Sequence, residues 1–247
     1  MTTYLEFEKP VAELESKIAE LRHVPNSAEV DIADEVMRLQ EKVQKLLRAT
    51  YARLTPWQRV QVARHAERPH AQRYIDRLIT DYTPLAGDRV FGEDAAIVGG
   101  IGRLEGRSVV VLGQEKGDDT ESRLKHNFGM ARPEGYRKAQ RLMRLADRFS
   151  LPVLTLVDTP GAYPGLDAEE RGQAEAMKMT AADLKKLDVI DEVIPEPMGG
   201  AHRSPDETID AVGKVVSGAL ADLAQLDRDT LRRQRQEKFL AMGKKGL

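Results

Sequence analysis

The chain has 247 residues, of which 41% are hydrophobic and 32% charged, a composition typical of a globular protein with a charge-rich surface. Lys and Arg total 38 against 40 Asp and Glu, and the resulting net charge of −2 argues against a dedicated nucleic-acid-binding protein. The absence of cysteine excludes disulfides, thiolate zinc sites and a cysteine nucleophile.

The first 85 residues have the pattern of helices. From Ile32 the apolar residues recur at alternating steps of four and three, which predicts a helix packed on a domain or, alternatively, a coiled coil. A second helix is expected after Thr55, because Thr55 and Gln58 form a capping box around Pro56. The N-terminus has no secretory pattern and no run reaches about 20 apolar residues, so we expect a cytoplasmic protein without a membrane span.

Short apolar runs replace this pattern after Gly87. Residues 95–104 and 108–114 predict two strands joined by a tight turn, and residues 116–132 a polar loop or short helix. A helix is expected from Pro133, with one apolar face, and residues 151–157 predict a strand buried on both faces. The order strand, helix, strand indicates an α/β layer. The apolar face of the helix consists of Tyr136, Ala139, Leu142, Met143, Ala146 and Phe149.

The last third of the chain predicts further short elements. Two Pro-Gly turns follow Asp158, and a helix is expected near residues 167–170. Beyond them we expect a helix at residues 181–187, a strand at 189–194 and a helix from 205 to about 223 that is capped by Ser204. A charged helical tail is expected from residue 227.

No motif for a nucleophile, a catalytic metal or a nucleotide phosphate is present. The glycines at 99, 100 and 102 lie inside a strand pattern, where close backbone packing is the better interpretation. The five histidines share no ligand-like spacing, and we interpret them as surface or capping residues, although His202 is uncertain because it follows Gly199, Gly200 and Ala201.

Candidate binding residues follow two of the predicted strands. Ligands of α/β sheets bind beyond the carboxyl ends of strands, where Asp158 to Gly165 offer stiff backbone and small side chains. A rigid connection without a ligand is equally compatible with this spacing. The second candidate is Gly113 to Gly117, where Lys116, with Arg123 and Lys125, could meet an anion, although a solvated charged loop explains these residues as well.

Several segments, taken together and in order, resemble one family. They are VDTPGAYPG (157–165), AEERGQ (168–173), NFGMARPEGYRKAQRLM (127–143), IPEPMGGAHR (194–203), LEFEKPVAELESKI (5–18), LAGDR (85–89) and IVGGI (97–101). The chain thereby resembles the alpha subunit of the bacterial acetyl-CoA carboxylase carboxyltransferase over nearly its whole length.

The resemblance implies an α/β, crotonase-like core of ββα units with a helical N-terminal region and a helical C-terminal tail. On this basis residues 1–85 are the helical region, 86–203 the carboxyltransferase core, interrupted near residue 176, and 204–247 the C-terminal helices. The site would be lined by the segment Asp158, Thr159, Pro160, Gly161, Ala162 and Tyr163, by Arg171 and Gly172, and more weakly by Lys116.

The resemblance also implies the reaction and the partners. The carboxyl group would pass from biotin on the biotin carboxyl carrier protein to acetyl-CoA, giving malonyl-CoA for fatty-acid synthesis. A zinc-binding beta subunit would complete the enzyme, in an α2β2 hetero-oligomer, and a separate biotin carboxylase would use the ATP. Backbone donors, not a reactive side chain, would stabilise the developing oxyanions, and this chain would hold no metal.

One stretch that the resemblance implies is missing. Relatives carry several tens of residues after the RGQ segment, including the glycines of the oxyanion hole, whereas here residues 171–176 run directly into 177–187. We therefore expect weak or no activity from this chain. Two alternatives stay open, a non-catalytic assembly or regulatory relative and a subunit of a biotin-dependent acyl-CoA decarboxylase.

Overall fold

The computed structural model describes residues 3–23, 29–159 and 180–242. Within them, no helix is both long enough and apolar enough to cross a bilayer. The helices are α1 (Lys9–Arg22), α2 (Glu29–Tyr51), α3 (Pro56–Ala63), α4 (Ala71–Leu78), α5 (Thr120–Lys125), α6 (Pro133–Arg148), α7 (Ala181–Lys186), α8 (Pro205–Leu223) and α9 (Arg228–Ala241). The strands are β1 (Ile79–Pro84), β2 (Ile97–Leu104), β3 (Arg107–Gln114) and β4 (Val153–Leu156).

Helices α1 and α2 pack on each other through the apolar seam that the sequence predicts. Their shared core is separate from that of the sheet, and its buried side chains are Val11, Ile18, Leu39, Val43 and Leu47. The seam therefore serves a pair of helices within the chain, whereas the first of the two interpretations had expected α2 to pack on the rest of the domain. The capping box at the start of α3 is also confirmed, since Thr55 Oγ1 accepts from Gln58 N at 3.2 Å and Thr55 N donates to Gln58 Oε1 at 2.9 Å.

The sheet has the order β1-β2-β3-β4. The first three strands are antiparallel, and β2 and β3 form the predicted hairpin through Glu105 and Gly106, both with positive φ. Strand β1 was not predicted, so the helical expectation for the first 85 residues is wrong at 79–84. Its pairing explains a glycine of β2, because a Cβ on Gly100 would stand 2.2 Å from Thr83 O.

Strands β3 and β4 are parallel, and helix α6 connects them, which confirms the predicted α/β layer. The inner face of α6 differs from the expectation: Gly135, Lys138, Leu142 and Ala146 are buried, whereas Tyr136 and Met143 are exposed. Tyr136 and Met143 each follow a buried residue by one position, which turns them about 100° away from the sheet. Phe149 lies beyond the helix end and is exposed as well.

The expectation that residues 151–157 are buried on both faces is wrong. Val153 is 38% and Val157 75% exposed, and within the described chain β4 pairs only with β3. Exposed Val153 and Thr155 alternate with half-buried Leu154 and Leu156, so within the described chain one face of β4 packs on the core and the other face is uncovered.

Two smaller expectations for the C-terminal part are also wrong. Residues 189–194 form no strand, because Val193 and Ile194 border a cavity beside α3 and do not join an edge of the described sheet. The side chain of Ser204 makes no capping hydrogen bond, since its φ of −135° and ψ of 65° differ from the extended conformation of a capping residue. Helices α7, α8 and α9 do lie where the sequence predicts them.

Candidate functional site

The ends of the two parallel strands bring the two candidate segments together. Gly113 pairs with Leu156, so the residues that follow each strand emerge at the same edge of the sheet. Asp158 N donates to Gln114 Oε1 at 2.9 Å, and Lys116 Nζ lies 2.5 Å from Asp158 Oδ1. The sequence suggested these segments separately, and the sheet makes them one site.

A buried carboxylate holds the loop that presents Lys116. Glu115 is 5% exposed, and its carboxylate accepts from the amides of Lys116, Gly117 and Gln72 at 3.0, 3.0 and 2.8 Å. Burial by itself raises the pKa of Glu115, but the nearby His70 and the amide donors outweigh it and lower the pKa to about 2. The loop is therefore fixed by an anion that stays charged at neutral pH.

The neighbouring His70 is buried and faces two carboxylates. Its Nδ1 lies 3.6 Å from Glu115 Oε1, beyond hydrogen-bonding distance, and 3.1 Å from Asp118 Oδ1 without the alignment of a hydrogen bond. Glu115 lies inside the candidate segment 113–117, although no role was predicted for it. His70 was missed, because it lies 46 positions before Lys116 and only the fold brings it beside Glu115.

A cleft of about 590 Å3 opens beside these residues. Its volume lies within the range of small-molecule sites. Basic side chains and aromatic side chains share its walls, while Leu156 and Ala71 contribute apolar surface. The basic residues are Arg64, Arg68, Lys116 and Arg123, and the ring-bearing residues are His65, His70, Tyr74 and Phe128.

The IPEPMGGAHR segment does not line the cleft itself but is joined to one of its residues, Arg68, by an ion pair. Arg68 forms a two-point salt bridge with Glu196, with N–O distances of 2.8 and 2.6 Å, and Ala201 N donates to Glu196 Oε2 at 2.9 Å. Burial raises the pKa of Glu196, but the Arg68 guanidinium lowers it by more, so the pKa of Glu196 lies below its ordinary value. This salt bridge therefore ties the IPEPMGGAHR segment to the connection between α3 and α4.

The interpretation of all five histidines as surface or capping residues is wrong for His65, His70 and His202, which are buried. His202 stacks on His65, and neither of its ring nitrogens has a hydrogen-bond partner among the described residues. The reason is that residues 199–203 pack against the N-terminal helical region. The two segments are far apart in sequence, so the spacing of residues along the chain does not reveal this contact.

The remaining predicted site residues are only partly within the described chain. Asp158 and Thr159 directly follow β4, whereas Pro160, Gly161, Ala162, Tyr163, Arg171 and Gly172 lie outside the described residues. Among those described, no three His, Asp or Glu side chains are arranged to hold a metal ion.

Comparison with known proteins assigns the family. The model of the family "Acetyl co-enzyme A carboxylase carboxyltransferase-like" matches residues 4–177 and again residues 174–243. The chain belongs to this family. The two matched parts of the family model meet at residues 174–177, the place where the sequence indicates an interruption.

Relatives in the family extend over both sides of that junction. The carboxyl transferase subunit alpha of acetyl-coenzyme A carboxylase from Paramagnetospirillum magneticum is 50% identical, and the alignment covers 98% of this chain and 99% of the relative. The corresponding subunit from Rhodospirillum centenum is 52% identical, with 99% of each chain covered, and that from Zymomonas mobilis 49%, with 98% and 100% covered.

The length of these alignments reveals the missing stretch. The alignment with the Paramagnetospirillum magneticum subunit runs over 313 positions, so at least 66 of them (313 less 247) have no residue in this chain. Among solved structures, the beta subunit of Pseudomonas aeruginosa geranyl-CoA carboxylase is 18% identical, with 76% of this chain and 31% of that chain covered. Its TM-score of 0.25 carries no conclusion about the fold.

Proposed function

We propose that this chain acts as the alpha subunit of an acetyl-CoA carboxylase carboxyltransferase. The reaction moves a carboxyl group from carboxybiotin on a carrier protein to acetyl-CoA and yields malonyl-CoA. The observation that carries this proposal is the identity of 49–52% with such subunits on both sides of the junction at residues 174–177.

The partners and the fold belong to the same proposal. A zinc-binding beta subunit completes the enzyme in an α2β2 assembly, the biotin is carried by the biotin carboxyl carrier protein, and a biotin carboxylase uses the ATP in the cytoplasm. The order β2, β3, α6 supports a crotonase-like core, because it is one ββα unit followed by a parallel strand.

The cleft suits the proposed reactant. Lys116 supplies a cation for a carboxylate, and its ion pair with Asp158 keeps the ammonium at the sheet edge until a ligand competes for it. The Glu115 loop fixes the position of Lys116, since three amides converge on that buried carboxylate. Biotin brings the carboxyl group to be transferred, and this chain's part is to bind and orient the reactants and to exclude water.

The missing stretch sets the expected level of activity. In the family that the chain resembles, the absent residues hold the glycine amides of the oxyanion hole. The loss of one oxyanion donor reduces a rate by roughly 10² to 10³, and the loss of the whole hole reduces it further. The 247-residue chain should therefore bind its partners but turn over slowly or not at all.

A pair of proteins tests this proposal. One is the chain as it is, and the other carries the missing segment of the Rhodospirillum centenum relative inserted between Ala176 and Met177. Each is mixed with a zinc-binding beta subunit, and malonyl-CoA formation from carboxybiotin and acetyl-CoA is measured. We expect turnover from the restored chain and at least a 10²-fold lower rate from the unaltered chain. No turnover from the restored chain, although it assembles with the beta subunit, would contradict the proposal.

A second candidate function is that of a non-catalytic relative that binds partners without turnover. The missing stretch favours it, because in the family that the chain resembles this stretch holds a core strand as well as the oxyanion glycines. Its distinguishing result is a segment-restored chain that forms a stable complex with the beta subunit, by sedimentation velocity, and still forms no malonyl-CoA.

A further inference from the structure

The turn between α5 and α6 has a backbone that its side chains do not favour. Asn127, Phe128 and Gly129 have φ values of 47°, 55° and 78° in succession. Glycine adopts this left-handed region freely and asparagine tolerates it, but a bulky residue such as phenylalanine is a clear outlier there. Outliers of this kind persist only where the surroundings impose them, and they cluster at ligand-binding sites.

Hydrogen bonds on both sides impose this turn. His126 Nδ1–H donates to Ala95 O at 2.6 Å and anchors the turn to the start of the hairpin. Asn127 Nδ2 donates to Met130 O at 2.8 Å, and Met130 N donates to Asn127 O at 2.9 Å. The side chain of Asn127 therefore closes the turn, and the hydrogen bond from His126 to Ala95 holds it against the start of the hairpin.

The same turn packs against the side chain of Lys116. A Cβ on Gly129 would stand 2.8 Å from Lys116 Cγ, so only glycine fits at this position beside the lysine stem. Phe128 consequently borders the cleft on the side of Lys116. The strained turn and the proposed site thus share one wall.

Packing does not account for the ring of Phe128. The residue is 49% exposed, so its ring gains little from burial while its backbone is strained. The side chain is aromatic and lies at the wall of a cleft that also contains an ammonium group. A ring of this kind is suited to contact a flat or partly apolar ring of a ligand.

Charge favours a ligand with a single anionic group over a nucleotide. Three cations at the cleft have acceptors whose atoms are defined: Lys116 pairs with Asp158, Arg68 with Glu196, and Arg123 Nε donates to Gly117 O at 3.4 Å. A pyrophosphate would have to displace several of these contacts, whereas one carboxylate needs to compete only for Lys116.

We propose that Phe128 is a positioning residue whose ring packs against the bicyclic ring of carboxybiotin while Lys116 meets the carboxylate. This inference rests on the proposed function and extends it to a residue outside the predicted site. The strained turn holds the ring in place before the ligand arrives, so that no order has to be gained on binding.

Three variants of the full 247-residue chain separate this role from a structural one. Phe128→Asn removes the ring but suits the backbone, Phe128→Tyr retains the ring, and Asn127→Gly keeps the ring but removes the side-chain hydrogen bond that closes the turn. The probe is biotinyl-lysine, and its dissociation constant is measured by ligand-observed NMR alongside the midpoint of thermal unfolding.

We expect Phe128→Asn to weaken biotinyl-lysine binding roughly five- to tenfold with no fall in the unfolding midpoint. Phe128→Tyr should bind as the unsubstituted chain does, whereas Asn127→Gly, which loses the hydrogen bond from Asn127 Nδ2 to Met130 O, should bind more weakly. Equal binding by Phe128→Asn would overturn the inference, as would a loss of binding that is matched by a lower midpoint. A dependence on Phe128 for adenosine 3′,5′-bisphosphate but not for biotinyl-lysine would overturn it too.

Failure of the proposed function is recognised separately. If the unsubstituted chain does not bind biotinyl-lysine at all, the inference about Phe128 is wrong. The proposed function itself then depends on the malonyl-CoA assay of the segment-restored chain, which needs no variant of Phe128.

Discussion

The imidazole rings of His65 and His202 stack with their centroids 3.8 Å apart and their planes inclined by 19°. His65 is fully engaged, because its Nε2 donates to Thr3 O at 2.8 Å and its Nδ1 accepts from Glu67 N at 3.2 Å. His202 has no hydrogen-bond partner for either ring nitrogen within the described structure. The stack therefore joins the C-terminal motif to the N-terminal region through an uncharged ring.

The buried state of His202 predicts a loss of stability in mild acid. Burial first, and then the nearby His65, lower the pKa of His202 to about 4, against an ordinary 6.5, and Arg203 and Arg68 act in the same direction while Glu8 opposes them. Because the pKa is lower in the folded state, the unfolded chain takes up more protons between pH 6.5 and 4. The stability is thus complete above pH 6.5 and falls as the pH drops through this window.

Urea unfolding at pH 7.5, 6 and 4.5 measures this effect. We expect the free energy of unfolding to fall by roughly 2 kcal/mol across the range, less than the full shift implies because the folded-state pKa of about 4 lies below the lowest pH measured. His202→Phe, which keeps a ring on His65, should flatten the dependence. His23→Phe, at an exposed position, serves as the control and should leave it unchanged. An equal acid loss in His202→Phe and the parent chain would contradict the assignment.

Arg203 should be the most costly single substitution in the N-terminal contact. Its guanidinium meets Glu8 at 3.4 Å and Glu15 at 3.0 Å, and Glu8 is wholly buried, with Tyr51 Oη also donating to it at 2.9 Å. Arg203→Ala leaves a buried carboxylate without its cation, which should lower the free energy of unfolding by roughly 3 kcal/mol.

Hydrogen exchange should show faster exchange in α1 and α2 of Arg203→Ala than in the sheet, since the lost contact joins these helices to the rest of the chain. Lys9→Ala, which removes an exposed pair with Glu6, is the matched control and should change stability by less than about 1 kcal/mol. Similar effects of the two substitutions would count against a special role for Arg203.

The pair of Lys116 and Asp158 should matter more for turnover than for stability. The two side chains are 24% and 43% exposed, and partly exposed pairs contribute less than about 1 kcal/mol. A double-mutant cycle with Lys116→Met and Asp158→Asn should therefore give a small coupling energy in urea unfolding. In the segment-restored chain, Lys116→Met should reduce malonyl-CoA formation by about tenfold or more. A large stability loss with unchanged turnover would make the pair structural.

The outer edge of β4, which pairs with no other strand among the described residues, should make the chain associate with itself. Unpaired edge strands with apolar side chains are templates for pairing with another chain, and a charge on the edge prevents it. Val153→Lys should shift the weight-average mass in sedimentation velocity towards the monomer at high protein concentration. The segment-restored chain should show the same shift towards the monomer without this substitution. Met37→Lys, which changes an exposed residue of α2 far from the sheet edge, is the control.

The sequence by itself determined the elements whose signals are local. The seam of α2, the caps of α3, the β2–β3 hairpin and helix α6 all follow from spacing, capping and turn residues within a few positions. The ordered family segments likewise determined the family and the place of the missing stretch, because motifs in a fixed order need no coordinates to be recognised.

Only the tertiary structure decided which of these parts meet. Strand β1 exists because β2 offers it an edge, and Lys116 reaches Asp158 because β3 and β4 run parallel. Glu115 and His202 are buried by partners dozens of positions away, and the left-handed turn at Phe128 is imposed by Ala95 and closes over Lys116. Such contacts depend on long-range packing and desolvation, which spacing along the chain does not encode.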